Sequence, residues 1–195
     1  MRTIQKVLVG QSGGPTVAIN SSLAGIINQA HKHDIEVIGM CNGIEGFLEG
    51  RTINLSDIFH PTRNKQSVEL LAQTPSSFLG SCRYKLPNPT QDKNFYQKIT
   101  SRLTSLAIDG ILYIGGNDSM DTVDKISRYF AENLIDIPTI GIPKTIDNDL
   151  EGTDHTPGFG SAARFVATVT AELTRDGGVY DTKNVTFIEA MGRDA

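Results

Sequence analysis

The chain has 195 residues, 38% of them hydrophobic and 21% charged, with 19 glycines, 8 prolines and a formal net charge of -4 at pH 7. That balance fits an ordinary soluble globular chain and excludes disordered and fibrous classes, and the length allows one domain and the start of another. No run approaches the roughly 18 apolar residues of a membrane span, Met1-Arg2-Thr3 enters a strand-like segment without a signal-peptide core, and no basic tract offers a nucleic-acid surface, so a cytoplasmic protein with neither membrane nor nucleic-acid partners is expected.

The first strand is predicted at Val7-Leu8-Val9. Gln11-Ser12-Gly13-Gly14-Pro15 then opens a helix expected from Pro15, whose missing N–H is harmless at a helix start. That helix sets Ile19, Leu23, Ile26, Ile27 and Ala30 on one face. A strand follows at Ile35 to Met40. Gly50 to Pro89, with Pro61, Pro75, Pro87 and Pro89, reads as an irregular functional excursion.

Next come a helix from Thr90 to Leu106 (Ile99, Leu103, Leu106 inward), a strand from Ile111 to Ile114, a helix from Ser119 to Phe130 (Val123, Ile126, Phe130 inward) and a strand from Ile137 to Ile142. A helix from Ser161 to Leu173 is expected to bury Phe165, Val166, Val169 and Leu173 before a last strand at Val185 to Ile188. Alternating strands and helices predict a Rossmann-like, mostly parallel sheet with helices on both faces. Residues 1–158 are expected to form most of one α/β domain and 159–195 the start of a second; a strand running directly into Ala195 reads as a chain cut short. Cys41 and Cys82 lack metal-ligand spacing and are read as reduced structural thiols. His31, His33, His60 and His155 are read as surface or capping residues.

Three segments carry chemistry. Ser12-Gly13-Gly14 places paired glycines at a strand–helix junction, where backbone N–H groups and a helix N-terminus can meet an anion; a tight turn with no ligand is the competing reading. Gly115-Gly116-Asn117-Asp118-Ser119 repeats the design, with plain N-capping as its alternative. In open parallel sheets ligands gather beyond the carboxyl ends of strands, so both turns can face one polyphosphate. Pro143-Lys144-Thr145-Ile146-Asp147-Asn148-Asp149 adds a lysine, a hydroxyl and carboxylates at the same edge. A carboxylate there suits a base towards a sugar hydroxyl, and the lysine suits charge on a transferring phosphoryl group.

Taken in order, Ser12 to Gly14, Leu79-Gly80-Ser81-Cys82-Arg83, Gly115 to Ser119, Pro143 to Asp149, Gly152 to Phe159 and Met191-Gly192-Arg193 resemble the signatures of the phosphofructokinase family. The resemblance implies that Asp147 is similar to the base that deprotonates the 1-hydroxyl of fructose 6-phosphate, that Thr145 and Ile146 meet the sugar, and that Met191, Gly192 and Arg193 hold its phosphate. It implies a donor cradle of Gly13, Gly14, Arg83, Gly116, Asn117, Asp118 and Ser119. By the same resemblance Lys144, Asp118 and Arg83 are expected to act in catalysis with Asp147, and Mg2+ is expected near Asn117, Asp118 and Asp149. The implied domains are a donor-binding one and a sugar-phosphate-binding one, in an enzyme that is a homo-oligomer, dimer or tetramer.

ATP-using members resemble Gly-Gly-Asp-Gly-Ser at the second junction and carry glycine where this chain has Lys144. Asp118 and Lys144 instead resemble the pyrophosphate-using type, so the expected reaction is reversible phosphoryl transfer from pyrophosphate in glycolysis. An ATP-dependent enzyme is the near alternative, and a non-catalytic phosphate-binding fragment or regulatory subunit the alternative of another class. Two departures stand out. Asn117, whose neutral amide is a weaker Mg2+ ligand than a carboxylate, stands where the family usually has aspartate, and Lys183-Asn184 stands where many relatives carry an arginine that reaches a neighbouring subunit.

Overall fold

The computed structural model describes residues 3–60 and 62–190. Five strands form one sheet: β1 (Lys6–Gln11), β2 (Glu36–Met40), β3 (Thr52–Asn54), β4 (Gly110–Gly115) and β5 (Thr139–Pro143), in spatial order β3-β2-β1-β4-β5. β2, β1, β4 and β5 run parallel, and β3 closes the β2 edge antiparallel. The sheet is thus parallel with one antiparallel edge strand, an α/β arrangement as expected.

Alternation along β1 separates two cores. Val7 and Val9 face the first, with α1 (Val17–Lys32), α3 (Leu55–Ile58) and α4 (Lys65–Gln73); Leu23, Ile27, Leu55, Val68 and Leu71 are buried there. Leu8 faces the second, with α2 (Gly43–Leu48), α5 (Lys93–Ser105) and α6 (Asn117–Glu132), which bury Phe47, Tyr96, Leu103, Ile126 and Phe130. A strand covered on both faces reads as a continuous apolar run, which is why Val7-Leu8-Val9 is legible without any alternation of polarity.

α1 begins two residues later than Pro15, because the extended Thr16 caps it, its hydroxyl accepting from Ala18 N at 3.3 Å. The expected irregular stretch Gly50 to Pro89 instead contains β3, α3 and α4. Asn54 caps α3 through bonds from Ser56 N (3.0 Å) and Asp57 N (3.3 Å), and Leu55, Val68 and Leu71 of the two helices enter the first core. Pro75 bounds α4, and from Thr74 to Pro89 the chain has no helix or strand, as expected for that part of the stretch.

The chain divides into two compact units, Met1–Lys144 and Thr145–Ala195. In the second, α7 (Phe159–Gly177) forms where periodicity places it but buries none of its residues, and Phe165 is 68% exposed. The expected burial of Phe165, Val166, Val169 and Leu173 is therefore not found. Val185 to Ile188 is not a strand either: among the described residues no strand runs beside it to complete a ladder. Met191, Gly192 and Arg193 lie outside the described residues. No helix among the described residues is long and apolar enough to cross a membrane.

Candidate functional site

β1 leads to β2 on one side of itself and has β4 on the other, so the strand order reverses between β1 and β4. Such a switch point opens a crevice at the carboxyl ends of its strands. Both glycine turns lie there, one leaving β1 for α1 and the other leaving β4 for α6.

Ser12 N donates to the Ile114 carbonyl at 3.0 Å, and the Ser12 and Ser119 hydroxyls are hydrogen-bonded. Those two bonds hold the turns side by side. A methyl group added at Gly13, whose φ is +81°, would lie 3.8 Å from both Gly116 N and Lys144 Nζ; one at Gly14 would lie 4.0 Å from the same Nζ. The left-handed backbone favours glycine at 13, and the surface it leaves bare faces an ammonium.

Lys144 reaches this place because β5 pairs with β4 and ends where Lys144 N donates to the Gly115 carbonyl at 2.9 Å. The residue is only 7% exposed. A buried ammonium beside two glycine turns and the N-terminus of α6 concentrates positive potential on one small volume. Asn117 and Asp118 are exposed in the first turn of that helix, whereas Ser119 is buried against Ser12.

A third segment, Thr74 to Cys82, backs the first turn. Ser81 Oγ donates to the Gly13 carbonyl at 2.6 Å, and Gly13 N reaches the Cys82 carbonyl at 3.4 Å. The segment hangs on two buried amides. Gln11 Oε1 accepts from Leu79 N (2.8 Å) and Ser77 Oγ (3.0 Å), while Asn20 Oδ1 accepts from Phe78 N (2.8 Å) and Asn20 Nδ2 donates to the Thr74 carbonyl (2.9 Å). Arg83 follows Cys82 and is exposed. Beneath it, Tyr113 receives a bond from Ile44 N at 3.2 Å. Burial first, then Cys82 beside it, pushes its phenol well above the ordinary range.

In the second unit, residues 145–158 fold on themselves. Thr145 N donates to the Pro157 carbonyl at 3.0 Å, Thr156 Oγ1 to the Thr145 carbonyl at 2.9 Å, and Thr156 N to Asn148 Oδ1 at 3.0 Å. Thr145 Oγ1 accepts from Asp147 N at 3.0 Å and so fixes the backbone that carries the Asp147 carboxylate. Asn148 takes a positive φ of 50° at the bend. Ile146 and Asp149 are exposed on the same loop.

Of the residues expected from sequence, Gly13, Gly14, Gly116 and Lys144 converge, with Asn117 and Asp118 on the adjoining turn of helix. Thr145, Ile146, Asp147 and Asp149 share the second loop. Sequence reasoning passed over Gln11, Asn20 and Tyr113. The signal available for the two amides was an uncharged polar residue ending the apolar run Val7 to Gly10 and another inside the apolar stripe of α1. Among the described residues no three His, Cys, Asp or Glu side chains gather to hold a metal.

Comparison with known proteins gives a consistent result. The family model described as phosphofructokinase matches residues 6–195. The pyrophosphate–fructose 6-phosphate 1-phosphotransferase of Xanthomonas campestris is 42% identical over 191 residues, covering 97% of this chain and 44% of the relative; that of Rhodospirillum rubrum is 40% identical, with 90% and 42% covered. The crystal structure of the pyrophosphate-dependent phosphofructokinase from Marinobacter aquaeolei superposes with a TM-score of 0.77 at 37% identity, over 89% of this chain and 42% of that one. The chain thus spans less than half the length of these relatives.

Proposed function

The chain belongs to the phosphofructokinase family, and from that premise we propose that it supplies the phosphoryl-donor side of an enzyme that uses pyrophosphate to phosphorylate the 1-hydroxyl of fructose 6-phosphate. The observation that carries the reading is the Lys144 ammonium facing the Gly13-Gly14 turn. Pyrophosphate has no nucleoside to anchor it, so its binding depends on charge supplied at the phosphates themselves. A lysine at that point, with the helix N-terminus opposite, supplies it. Asp118, exposed at the start of α6, is a fixed negative charge that an ATP α-phosphate would have to approach.

In the reaction, Asp147 accepts the proton of the sugar 1-hydroxyl, with Thr145 orienting the loop that carries it. The sugar oxygen forms a bond to the nearer phosphorus, the bridging P–O bond breaks and orthophosphate leaves. Because the transition state is largely dissociative, the protein's part is placement and neutralisation of charge. Lys144 and the backbone amides of the glycine turns stabilise the phosphoryl oxygens, and Arg83 is the second cation of the proposal.

Mg2+ commonly rests on one or two carboxylates and fills its octahedron with water and phosphate oxygens. The exposed oxygen ligands of Asp118 and Asn117 fit that demand without a three-ligand protein cluster. When bound, the ion would neutralise charge on the phosphates. Residues 1–158 are the donor-binding domain of this proposal and 159–195 the beginning of the sugar-phosphate-binding one.

Calorimetric titration of the chain with pyrophosphate and with ATP, both with Mg2+, tests the donor. Pyrophosphate alone should release heat of binding. A preference for ATP would overturn the assignment of Asp118 and Lys144, and no binding of either would leave the glycine turns as plain strand–helix junctions.

A further inference from the structure

Gln11 is fully buried at the end of β1, and both polar atoms of its side chain are engaged within the protein. Its amide oxygen holds Leu79 N and Ser77 Oγ, and its amide nitrogen turns back to the Ile19 carbonyl at 3.3 Å. Asn20, one helical turn into α1, holds Phe78 N and the Thr74 carbonyl in the same way. Strand, turn and helix are therefore tied by side chains to one external segment. That segment returns the tie further along, through Ser81 Oγ on the Gly13 carbonyl and the Cys82 carbonyl on Gly13 N. The turn is held from both ends by a loop that has no regular secondary structure of its own.

We propose that Gln11 is a positioning residue: through the Thr74 to Cys82 segment it fixes the backbone of Gly13, and so sets how well that turn accepts a phosphoryl donor. The inference rests on the donor reading above. A left-handed glycine has several accessible conformations, and a turn that must meet an anion without reorganising needs an external restraint. Gln11 supplies the restraint because a buried amide has few alternatives: Leu79 N–H without its acceptor would be an unpaired buried donor. Ser77 Oγ shares its one proton between the Gln11 amide oxygen and the Gly80 carbonyl, 2.6 Å away, which keeps the segment compact.

The test uses the full chain with Gln11→Leu, which removes both acceptor and donor, and Gln11→Glu, which keeps the acceptors for Leu79 N and Ser77 Oγ but, when ionised, turns an oxygen towards the Ile19 carbonyl and Asn20 Oδ1. Ser81→Ala is the third variant; it cuts the return path at the surface side and spares the buried amide should Gln11→Leu fail to fold. Amide hydrogen exchange is followed at Phe78, Leu79 and Gly13, with Leu8 and Ile111 as core references, and pyrophosphate binding with Mg2+ is measured by calorimetry. Loss of one such buried acceptor should speed exchange at Leu79 and Gly13 and weaken pyrophosphate by ~10-fold in Gln11→Leu. Gln11→Glu should recover both only where its buried carboxyl is protonated and so keeps one acceptor and one donor, and Ser81→Ala should speed Gly13 alone and weaken pyrophosphate.

Faster exchange at Phe78 and Leu79 with Gly13 and pyrophosphate affinity unchanged would overturn the proposal, since the amide would then be mere loop glue. Unaltered Gly13 exchange in Ser81→Ala would overturn it as well. If the unsubstituted chain binds no pyrophosphate while Gly13 still responds to Gln11, the donor reading falls and the mechanical link stands.

Discussion

A methyl group added at Gly115 would lie 2.0 Å from Ser119 Oγ and 2.9 Å from the Ser12 carbonyl oxygen. The hydroxyl can turn away, but the carbonyl belongs to the neighbouring turn and cannot move without opening the Ser12–Ser119 junction. Gly115→Ala should therefore cost about 1–3 kcal/mol of stability, as overpacked sites do, and a lower urea midpoint with unchanged slope would register it. Lys144 asks a different question. Lys144→Met keeps a buried stem of similar length and removes the ammonium, so the fold should persist. Pyrophosphate affinity should fall by about 10–100-fold, the range of a lost charge-assisted bond, and calorimetric titration would read it. Equal affinity would mean that the ammonium serves only the interior.

At the scale of elements, α5 joins the second core to the segment before it. Tyr96 stacks on Tyr129 of α6 with ring centroids 4.9 Å apart and donates its hydroxyl to the Pro87 carbonyl at 2.7 Å. Burial, then the charges of Asp121 and Asp92, raise its phenol to about 12 from 10. A raised folded-state value means the unfolded chain loses its proton first, so the contribution is intact below pH 10 and drains away between pH 10 and about 12. Denaturant midpoints across that window should decline more steeply in the native chain than in Tyr96→Phe, which cannot ionise. Parallel curves would show that other groups govern alkaline unfolding. The same elements show what a sequence can disclose. The four parallel strands and α1, α5 and α6 were legible because each carries a long apolar run or stripe. The short β3, α3 and α4 were hidden by the prolines around them, and Val185 to Ile188 has the residues of a strand without a neighbour to pair with among the described residues. The glycine turns and Lys144 could be read from residue type. The Gln11 and Asn20 ties could not, because nothing local tells which backbone, some 50 to 70 residues away, a buried amide will meet.

At the scale of the whole molecule, both hydrophobic cores lie within Met1–Lys144, and among the described residues the buried polar residues of the second unit are Thr145 and Thr156. Cooperative unfolding should therefore report the first unit. Leu23 is fully buried in the first core, whereas Phe165 on α7 is 68% exposed. Leu23→Ala should cost about 2–5 kcal/mol through lost transfer energy and a cavity. Phe165→Ala, at a position that removes little apolar area from water, should stay within about 0.5 kcal/mol. Both follow from urea titration monitored by circular dichroism. A comparable loss in Phe165→Ala would mean that α7 buries its apolar face in solution, against a neighbour or a second copy. Repeating the titration at a tenfold different protein concentration separates those cases, since a contact between copies makes the midpoint rise with concentration and a contact within one chain does not.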